Sequence, residues 1–284
     1  MLRLTTIFVL AAYLLGAAGT YADTLGDIRK SGVFKIGYRD DIPPFASIDE
    51  NGDPHGFSID LCKIIASKVG EHIGTKNFST EFVRLTSANR LDAVASGRVH
   101  IECGITTNTL SRQEIVDFSN LFYVTGASLM TTATSGVENV TQLGGKRLAV
   151  VANTTTLKVL RSRLEELMIE AKLEIVDSHA DAMKLLEEGK VDVVAGDRAI
   201  LLGLGFASSN IETLRLTVDM LSFEPYAFPV PRNDADYRLV VNRALSDIYL
   251  SGQIGTIWQK WFGGFSVKPT QLLLTLYRLN SMSE

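Results

Sequence analysis

The chain contains one structural pattern twice, and this internal repeat is the feature that most restricts its fold. In each half an amphipathic segment is followed by a glycine, a basic residue, a valine that begins a strand pattern, a second glycine and a polar loop. The first copy covers residues 90–108 and the second residues 182–197. The spacing predicts helices that alternate with strands. This order favours parallel α/β sheets with right-handed crossovers, and its repetition indicates two lobes.

Two further apolar segments, residues 121–130 and 223–230, have the pattern of extended chain. Either could be an ordinary strand, but if both join the lobes, the chain crosses twice and returns to the first. The predicted lobes are then residues 23–124 and 125–225, with residues 226–284 returning to the first lobe and ending in a helix. Two extended crossings form a hinge, and the cleft between the lobes becomes the expected site. Ligands of open α/β sheets lie beyond the carboxyl ends of the strands, which selects the loops there.

The N-terminus has the pattern of an export signal. Arg3 is the only charged residue before Asp23, an apolar run covers residues 7–18, and small residues at Thr20 and Ala22 predict cleavage after Ala22. A retained anchor is the alternative, although the apolar run is short for a membrane span. The mature protein is therefore expected to be soluble and outside the cytoplasm. A net charge of −4 gives no electrostatic footprint for nucleic acid.

The sequence leaves the state of its two cysteines open. Cys62 lies in a helical pattern and Cys103 at the end of a strand. An oxidising compartment permits a disulfide, and two buried thiols fit the pattern equally well. The four histidines lack metal-ligand spacing, and the sequence contains neither a phosphate loop nor a Ser-His-Asp pattern. We therefore expect no metal, no cofactor and no catalytic residue.

The loops that follow the strands carry groups suited to a zwitterion with an extra negative charge. The threonines at 154–156 precede a helix, where they can bind an anion or simply cap the helix. Arginine is suited to bidentate carboxylate binding, and Arg39, Arg90 and Arg112 lie at or near loops of the first half. Asp197 follows the last strand and can accept an ammonium or cap the next helix. Each group alone fits a surface role, but their shared position favours a site.

At these residues the chain resembles the polar amino-acid-binding family of ABC-transporter substrate-binding proteins. Within that family it most resembles periplasmic glutamate/aspartate-binding proteins, over nearly all of the chain after the signal peptide. The matching stretches are residues 37–39, 44–45, 85–90, 102–108, 111–112, 118–119 and 153–155, with His179, Asp197, Glu224 and Tyr226. The resemblance implies an α/β, two-lobed periplasmic-binding-protein fold of type II, in which each lobe is a mostly parallel sheet flanked by helices.

The resemblance also implies a role for eight of these residues. Arg112 and Thr107 would bind the α-carboxylate of an amino acid with help from Thr155, and Asp197 would accept its α-ammonium. The residues expected to hold the side-chain carboxylate are Arg39, Ser87 and Arg90, with His179 nearby. The implied function is capture of glutamate or aspartate by a monomer, which delivers it to the membrane permease of an ABC transporter.

Three positions depart from the family pattern. Ile105 stands where binders of acidic ligands usually have a small polar residue, Asn153 replaces a glycine, and Arg198 follows Asp197 where a second acid is common. These departures affect the choice among glutamate, aspartate and their amides more than the ligand class.

An enzyme is the main alternative, because periplasmic cyclohexadienyl dehydratases share this fold. Such chemistry needs a general acid in the cleft, for which Glu102 is the candidate. The alternative role of Glu102 is a structural hydrogen bond. The same module also occurs fused to other domains in sensors and peptidoglycan enzymes.

Overall fold

The computed structural model describes residues 22–75, 78–265 and 267–282. The predicted signal peptide, residues 1–22, lies outside the described residues except for Ala22. The described residues form ten α-helices and twelve β-strands. None of these helices is long and apolar enough to cross a membrane.

The first sheet has three parallel strands in the order β4-β1-β5. These are β1 Val33–Tyr38, β4 Ser79–Arg84 and β5 Ile101–Glu102. The other elements of this part are the helices α1 Thr24–Ser31, α2 Phe57–Ile73, α3 Arg90–Ala95 and α4 Leu110–Gln113, and the hairpin of β2 Ser47–Ile48 with β3 Pro54–His55. The spacing of Leu61, Ile64, Ile65 and Val69 predicts a helix over residues 57–69, and α2 continues four residues further. Ile73 still joins the core, and Gly74 ends the helix in the left-handed conformation.

The second sheet has five strands in the order β11-β7-β10-β8-β9. Its parallel centre consists of β8 Arg147–Val151, β9 Lys172–Val176 and β10 Val193–Asp197, and its antiparallel edge of β7 Ala127–Thr132 and β11 Leu214–Leu216. Its helices are α5 Thr155–Glu166, α6 His179–Glu187 and α7 Arg198–Ala207. Separate apolar clusters form its two cores. Helix α6 begins three residues before the predicted start, which makes His179 its first residue.

Two antiparallel strands connect the sheets. They are β6 Asp117–Thr125 and β12 Glu224–Val230, and β6 continues through Gly126 into β7 of the second sheet. The remaining helices are α8 Ala235–Leu250, α9 Gln253–Phe262 and α10 Gln271–Leu279. Their buried side chains belong to the same core as α2 and β1. Helix α10 packs on this core through Leu273, Leu276 and Tyr277.

The sequence repeat has the same backbone geometry in both lobes. Gly97 and Gly189 end helices α3 and α6 in the left-handed conformation, with φ of 71° and 66°. Two residues later, the amides of Val99 and Val191 donate back to helical carbonyls, at 3.1 and 3.2 Å. These amides are therefore unavailable to a neighbouring strand. The paired strands begin two residues after the predicted starts at these valines.

A disulfide joins Cys62 of α2 to Cys103, which follows β5. The structure thereby resolves an alternative that the sequence leaves open. Both cysteines are fully buried in the core of the first lobe. The bond ties the longest helix of this lobe to the strand that leads into the cleft.

Replacing both cysteines with alanine is expected to lower the free energy of unfolding by about 2–4 kcal/mol. The reason is that the bond closes a loop between residues 41 apart and so restricts the unfolded chain. Urea unfolding followed by circular dichroism measures the change. The wild-type protein unfolded and refolded in dithiothreitol is the control and should match the variant. Equal stability of the variant and the oxidised wild type would contradict the prediction.

Candidate ligand-binding cleft

A cavity of about 320 Å³ lies between the lobes. The loops after β1, β5, β8, β9 and β10 surround it, as expected for a ligand site at the carboxyl ends of the strands. Seven of the eight predicted site residues line it: Arg39, Arg90, Thr107, Arg112, Thr155, His179 and Asp197. The eighth, Ser87, lines a neighbouring cavity together with Arg39. The structure therefore brings the predicted residues of both halves to one place.

The two lobes touch around this cavity. The hydroxyl of Thr107 in the first lobe lies 3.3 Å from that of Thr155 in the second. Gly203 of α7 packs against the carbonyl of Pro43, and an added Cβ there would come within 2.1 Å of the carbonyl oxygen. Glycine is required for this approach, and the structure shows a closed arrangement of the lobes.

Asp197 lies at the end of β10 and is buried. Its carboxylate accepts a hydrogen bond from the Thr156 hydroxyl at 2.8 Å and another from the Tyr226 hydroxyl. Its side chain makes no capping bond to α7, which excludes the capping role that the sequence left open. Burial raises the pKa of the Asp197 carboxyl, and the charge of Glu224 adds to this effect. A cation in the cleft would therefore stabilise its ionised form.

The start of α5 offers free amides to the cleft. Thr154 caps the helix, and its hydroxyl accepts from the Leu157 amide at 3.2 Å. The amides of Thr155 and Thr156 in the first turn have no partner within the helix, and such groups bind anions. Asn153 precedes them with φ of 59°, a left-handed conformation that asparagine tolerates better than most residues. Asparagine can therefore replace the family's glycine there.

Arg112 is a largely buried guanidinium at the floor of the cleft. Its Nη1 donates to the Thr107 carbonyl at 2.8 Å. Burial lowers the pKa of Arg112, and the carboxylate of Glu224 opposes this change. Within the described residues no carboxylate lies within 4.0 Å of this guanidinium. Most of its donors therefore remain available to an anion.

Arg90 is a second buried guanidinium, and it is only 5% exposed. It donates to the Thr106 hydroxyl at 2.8 Å, to the Ser87 carbonyl, and across the cleft to the Asn153 carbonyl at 3.4 Å. Burial lowers its pKa to about 9, and the charges of the two other cleft arginines add to the shift. It also has no ion-pair partner in the part of the chain that the structure describes. A ligand carboxylate would offset this buried positive charge.

Arg39, in contrast, already has a carboxylate. Its Nε and Nη2 donate to the two oxygens of Asp41 at 3.0 and 2.8 Å. Its Nη2 also lies 3.2 Å from Nδ1 of His179. The backbone amide of His179 donates to Asp41 at 2.9 Å, so this group of three residues joins the lobes.

Sequence reasoning gave no role to Glu224, which the structure places beside the cleft. One oxygen of its carboxylate accepts from the hydroxyls of Thr107 and Thr155, at 2.6 and 2.7 Å, and the other accepts from Ser222 at 2.5 Å. Glu224 thus links one threonine of each lobe to the hinge strand β12. A charged residue in the apolar crossing segment is the signal that could have identified it.

Two of the three departures from the family pattern affect the cleft differently. Ile105 lines the cavity and gives it an apolar contact. Arg198 donates to the Thr217 carbonyl at 2.6 Å, within the second lobe. The side chain of Arg198 therefore stabilises the second lobe and is not among the residues that line the cavity.

Glu102, the candidate general acid, is fully buried and is not among the residues that line the cavity. Its carboxylate accepts from the Thr106 hydroxyl at 2.8 Å, and Thr106 accepts from Arg90. Burial raises the pKa of the Glu102 carboxyl, whereas the charge of Arg90 opposes this change. This geometry favours the structural alternative, in which Glu102 orients Arg90 through Thr106.

The chain is similar in sequence and in structure to known proteins that bind amino acids. The L-glutamate/L-aspartate-binding protein of Pseudomonas aeruginosa is 30% identical over 240 residues, which cover 84% of this chain and 80% of that protein. Among solved structures, an ancestral arginine-binding protein bound to glutamine is 27% identical, with a TM-score of 0.72 and coverage of 82% of this chain and 98% of the other. An ancestral amino acid-binding protein, a precursor of cyclohexadienyl dehydratase, is 25% identical, with a TM-score of 0.72 and coverage of 84% and 99%.

The match to a protein family covers most of the chain and includes every residue that lines the cleft. Residues 34–264 match the bacterial extracellular solute-binding proteins, family 3. The two-lobed fold and the cleft between the lobes agree with this match. The chain therefore belongs to the bacterial extracellular solute-binding proteins of family 3.

Proposed function

We propose that this protein captures glutamate or aspartate in the cleft and delivers it to the membrane permease of an ABC transporter. The observation that carries the proposal is the charge arrangement around the cavity. Arg90 is buried and Arg112 is partly buried, and neither has a carboxylate partner among the described residues, while Asp197 is a buried carboxylate on the opposite side of the cleft. Two cationic groups and one anionic group match the two carboxylates and one ammonium of an acidic amino acid.

Each group of the ligand has a binding position in this scheme. Arg112, Thr107 and the amides at the start of α5 bind the α-carboxylate, because guanidinium groups and helix N-termini both favour it. Asp197 accepts the α-ammonium. Arg90 holds the distal carboxylate at the side of the cleft near Ser87. The relatives that bind glutamate and aspartate, or glutamine, support this general assignment.

The proposal includes closure of the lobes around the ligand. We take the lobes as residues 23–124 and 125–225, with residues 226–284 returning to the first. Arg112 lies in the first lobe and Asp197 in the second, so an amino acid contacts both only when the lobes are closed. A ligand that binds the closed state better shifts the population toward it. The protein would work as a monomer in the periplasm, after removal of residues 1–22.

We further propose that the ligand leaves chemically unchanged. The candidate general acid Glu102 accepts a hydrogen bond from Thr106 and is not among the residues that line the cavity. Incubation with prephenate or arogenate, followed by ultraviolet absorbance, tests the alternative of a dehydratase. Turnover of either compound would overturn this part of the proposal.

Thermal unfolding of residues 23–284 with each common amino acid tests the ligand class. At ~100 times its dissociation constant, a ligand adds about 2.7 kcal/mol of stability. For a chain of this size the midpoint should rise by roughly 5–10 °C. We expect the increase with glutamate or aspartate. An increase with a neutral or basic amino acid alone would overturn the assignment.

A further inference from the structure

Asp41 is a partly buried carboxylate of the first lobe that contacts the second. It follows β1 by three residues, and its side chain is 13% exposed. Its two oxygens accept from Arg39, and one of them also accepts from the backbone amide of His179 in the other lobe. The carboxylate thus contacts a guanidinium of its own lobe and a helix start of the opposite lobe.

Both contacts are of the kind that carboxylate ligands make with proteins. The contact with Arg39 uses two parallel N–H donors, the strongest geometry for a guanidinium and a carboxylate. The contact with His179 is at the first residue of the nine-residue helix α6, where free amides and the helix dipole favour an anion. Ser178 caps this helix through the Asp181 amide, which leaves the amide of His179 to Asp41.

The charge of Asp41 is maintained by these contacts. Burial alone would raise the pKa of the Asp41 carboxyl, but its hydrogen bond to His179 and the charge of Arg39 outweigh burial and hold the pKa well below its usual range. The carboxyl group of Asp41 is therefore ionised next to Arg39 at neutral pH.

Arg39 and Arg90 consequently differ in what they can offer a ligand. The Nε and Nη2 donors of Arg39 are already used by Asp41, so a distal carboxylate could take this bidentate position only by displacing Asp41. Arg90 bonds only neutral oxygens and has no carboxylate within 4.0 Å among the described residues. The two arginines have the same charge, but only one of them is uncompensated.

We propose that Asp41 is a specificity-determining residue. Its carboxylate pairs with Arg39, so that Arg90 is the residue that distinguishes an acidic side chain from its amide. The same carboxylate joins the closed lobes by accepting from the backbone amide of His179. This inference rests on the proposed function for its ligand but not for its contact between the lobes. Arg39 is then a positioning residue that acts through Asp41. The resemblance to glutamate/aspartate-binding proteins predicts that Arg39 binds the ligand side chain, whereas in this structure Arg39 donates to Asp41.

Isothermal titration with glutamate and glutamine tests the specificity. For the double variant Arg39→Ala/Asp41→Ala, which removes the ion pair without leaving an unpaired charge, we expect the affinities for glutamate and glutamine to fall by the same factor, within about threefold, because the contact between the lobes is lost for both ligands. For Asp41→Asn we expect the preference for glutamate over glutamine to increase about tenfold or more, because Arg39 becomes free to bind the distal carboxylate. Asp40→Asn is the matched control, since Asp40 pairs with the exposed Arg84 of its own lobe and should leave the preference unchanged.

The result that would overturn the specificity role is a selective loss of glutamate binding in Arg39→Ala/Asp41→Ala, or an unchanged preference in Asp41→Asn. Small-angle scattering of the ligand-free proteins tests the contact between the lobes separately. Asp41→Ala, which removes the acceptor of the His179 amide, should have a larger radius of gyration than the wild type and than the matched Asp40→Ala, and equal radii would overturn this contact. If the wild type binds neither glutamate nor aspartate, the proposed function fails, whereas the scattering result still decides the role of Asp41.

Discussion

Arg112→Ala and Asp197→Ala are each expected to weaken every amino acid ligand about 30-fold to several-thousand-fold. The two residues bind the α-carboxylate and the α-ammonium, which all amino acids share. Loss of one partner from a desolvated charge pair typically costs about 2–5 kcal/mol, because the remaining charge stays buried without compensation. Isothermal titration with glutamate, aspartate and glutamine measures the change.

Arg161→Ala is the matched control for Arg112→Ala, because Arg161 is exposed on α5 and does not line the cleft. It should bind like the wild type. Asp197→Asn keeps the shape of the side chain and its contact with Tyr226, but it removes the charge, so it should bind nearly as weakly as Asp197→Ala. Wild-type affinity in a folded Arg112→Ala or Asp197→Ala protein would show that the zwitterion does not bind where we place it.

The position of the cleft could be predicted from the sequence because it depends on topology. In parallel sheets the carboxyl ends of neighbouring strands meet at one edge, so residues in the loops after the strands come together. Arg39, Thr107, Thr155 and Asp197 lie in different parts of the chain, yet each lies at or after the carboxyl end of a strand. Their approach required only the order of helices and strands, which the apolar spacing revealed.

The pairing of side chains within the cleft could not be predicted in the same way. Asp41 and His179 are 138 residues apart, and their contact depends on how the closed lobes fit together. Glu224 reaches threonines of both lobes from a hinge strand, so its role also depends on closure. The disulfide required Cys62 on α2 to face the end of β5, and helical spacing alone did not indicate that orientation.

These contacts give the three arginines of the cleft different roles. A pattern of three arginines in loops predicts carboxylate binding, but it does not show which arginine is already neutralised. The structure shows that Asp41 compensates Arg39 and that Glu102 reaches Arg90 only through Thr106. Discrimination between an acid and its amide should therefore depend on Arg90.

Arg90→Ala should lower the affinity for glutamate about 30-fold or more and change that for glutamine by less than about threefold in excess of any general loss. The variant also loses bonds to Thr106, to Ser87 and to Asn153 of the second lobe. The loss of these bonds weakens the binding of both ligands equally. The ratio of the two dissociation constants therefore reports only the contact between Arg90 and the ligand side chain. Arg90→Lys should restore only part of the preference, because lysine keeps the charge but lacks the planar fork.

Isothermal titration with both amino acids gives the ratio, and Arg98→Ala is the control. Arg98 is exposed and follows the same short helix α3, so its removal changes the charge of the lobe without changing the cleft. The wild-type ratio should persist in this control. If the affinities for glutamate and glutamine fall by equal factors in Arg90→Ala, Arg90 stabilises the structure of the cleft but does not contact the ligand side chain. If neither loses affinity, the buried guanidinium does not contact the ligand at all, and the charge argument for an acidic amino acid fails with it.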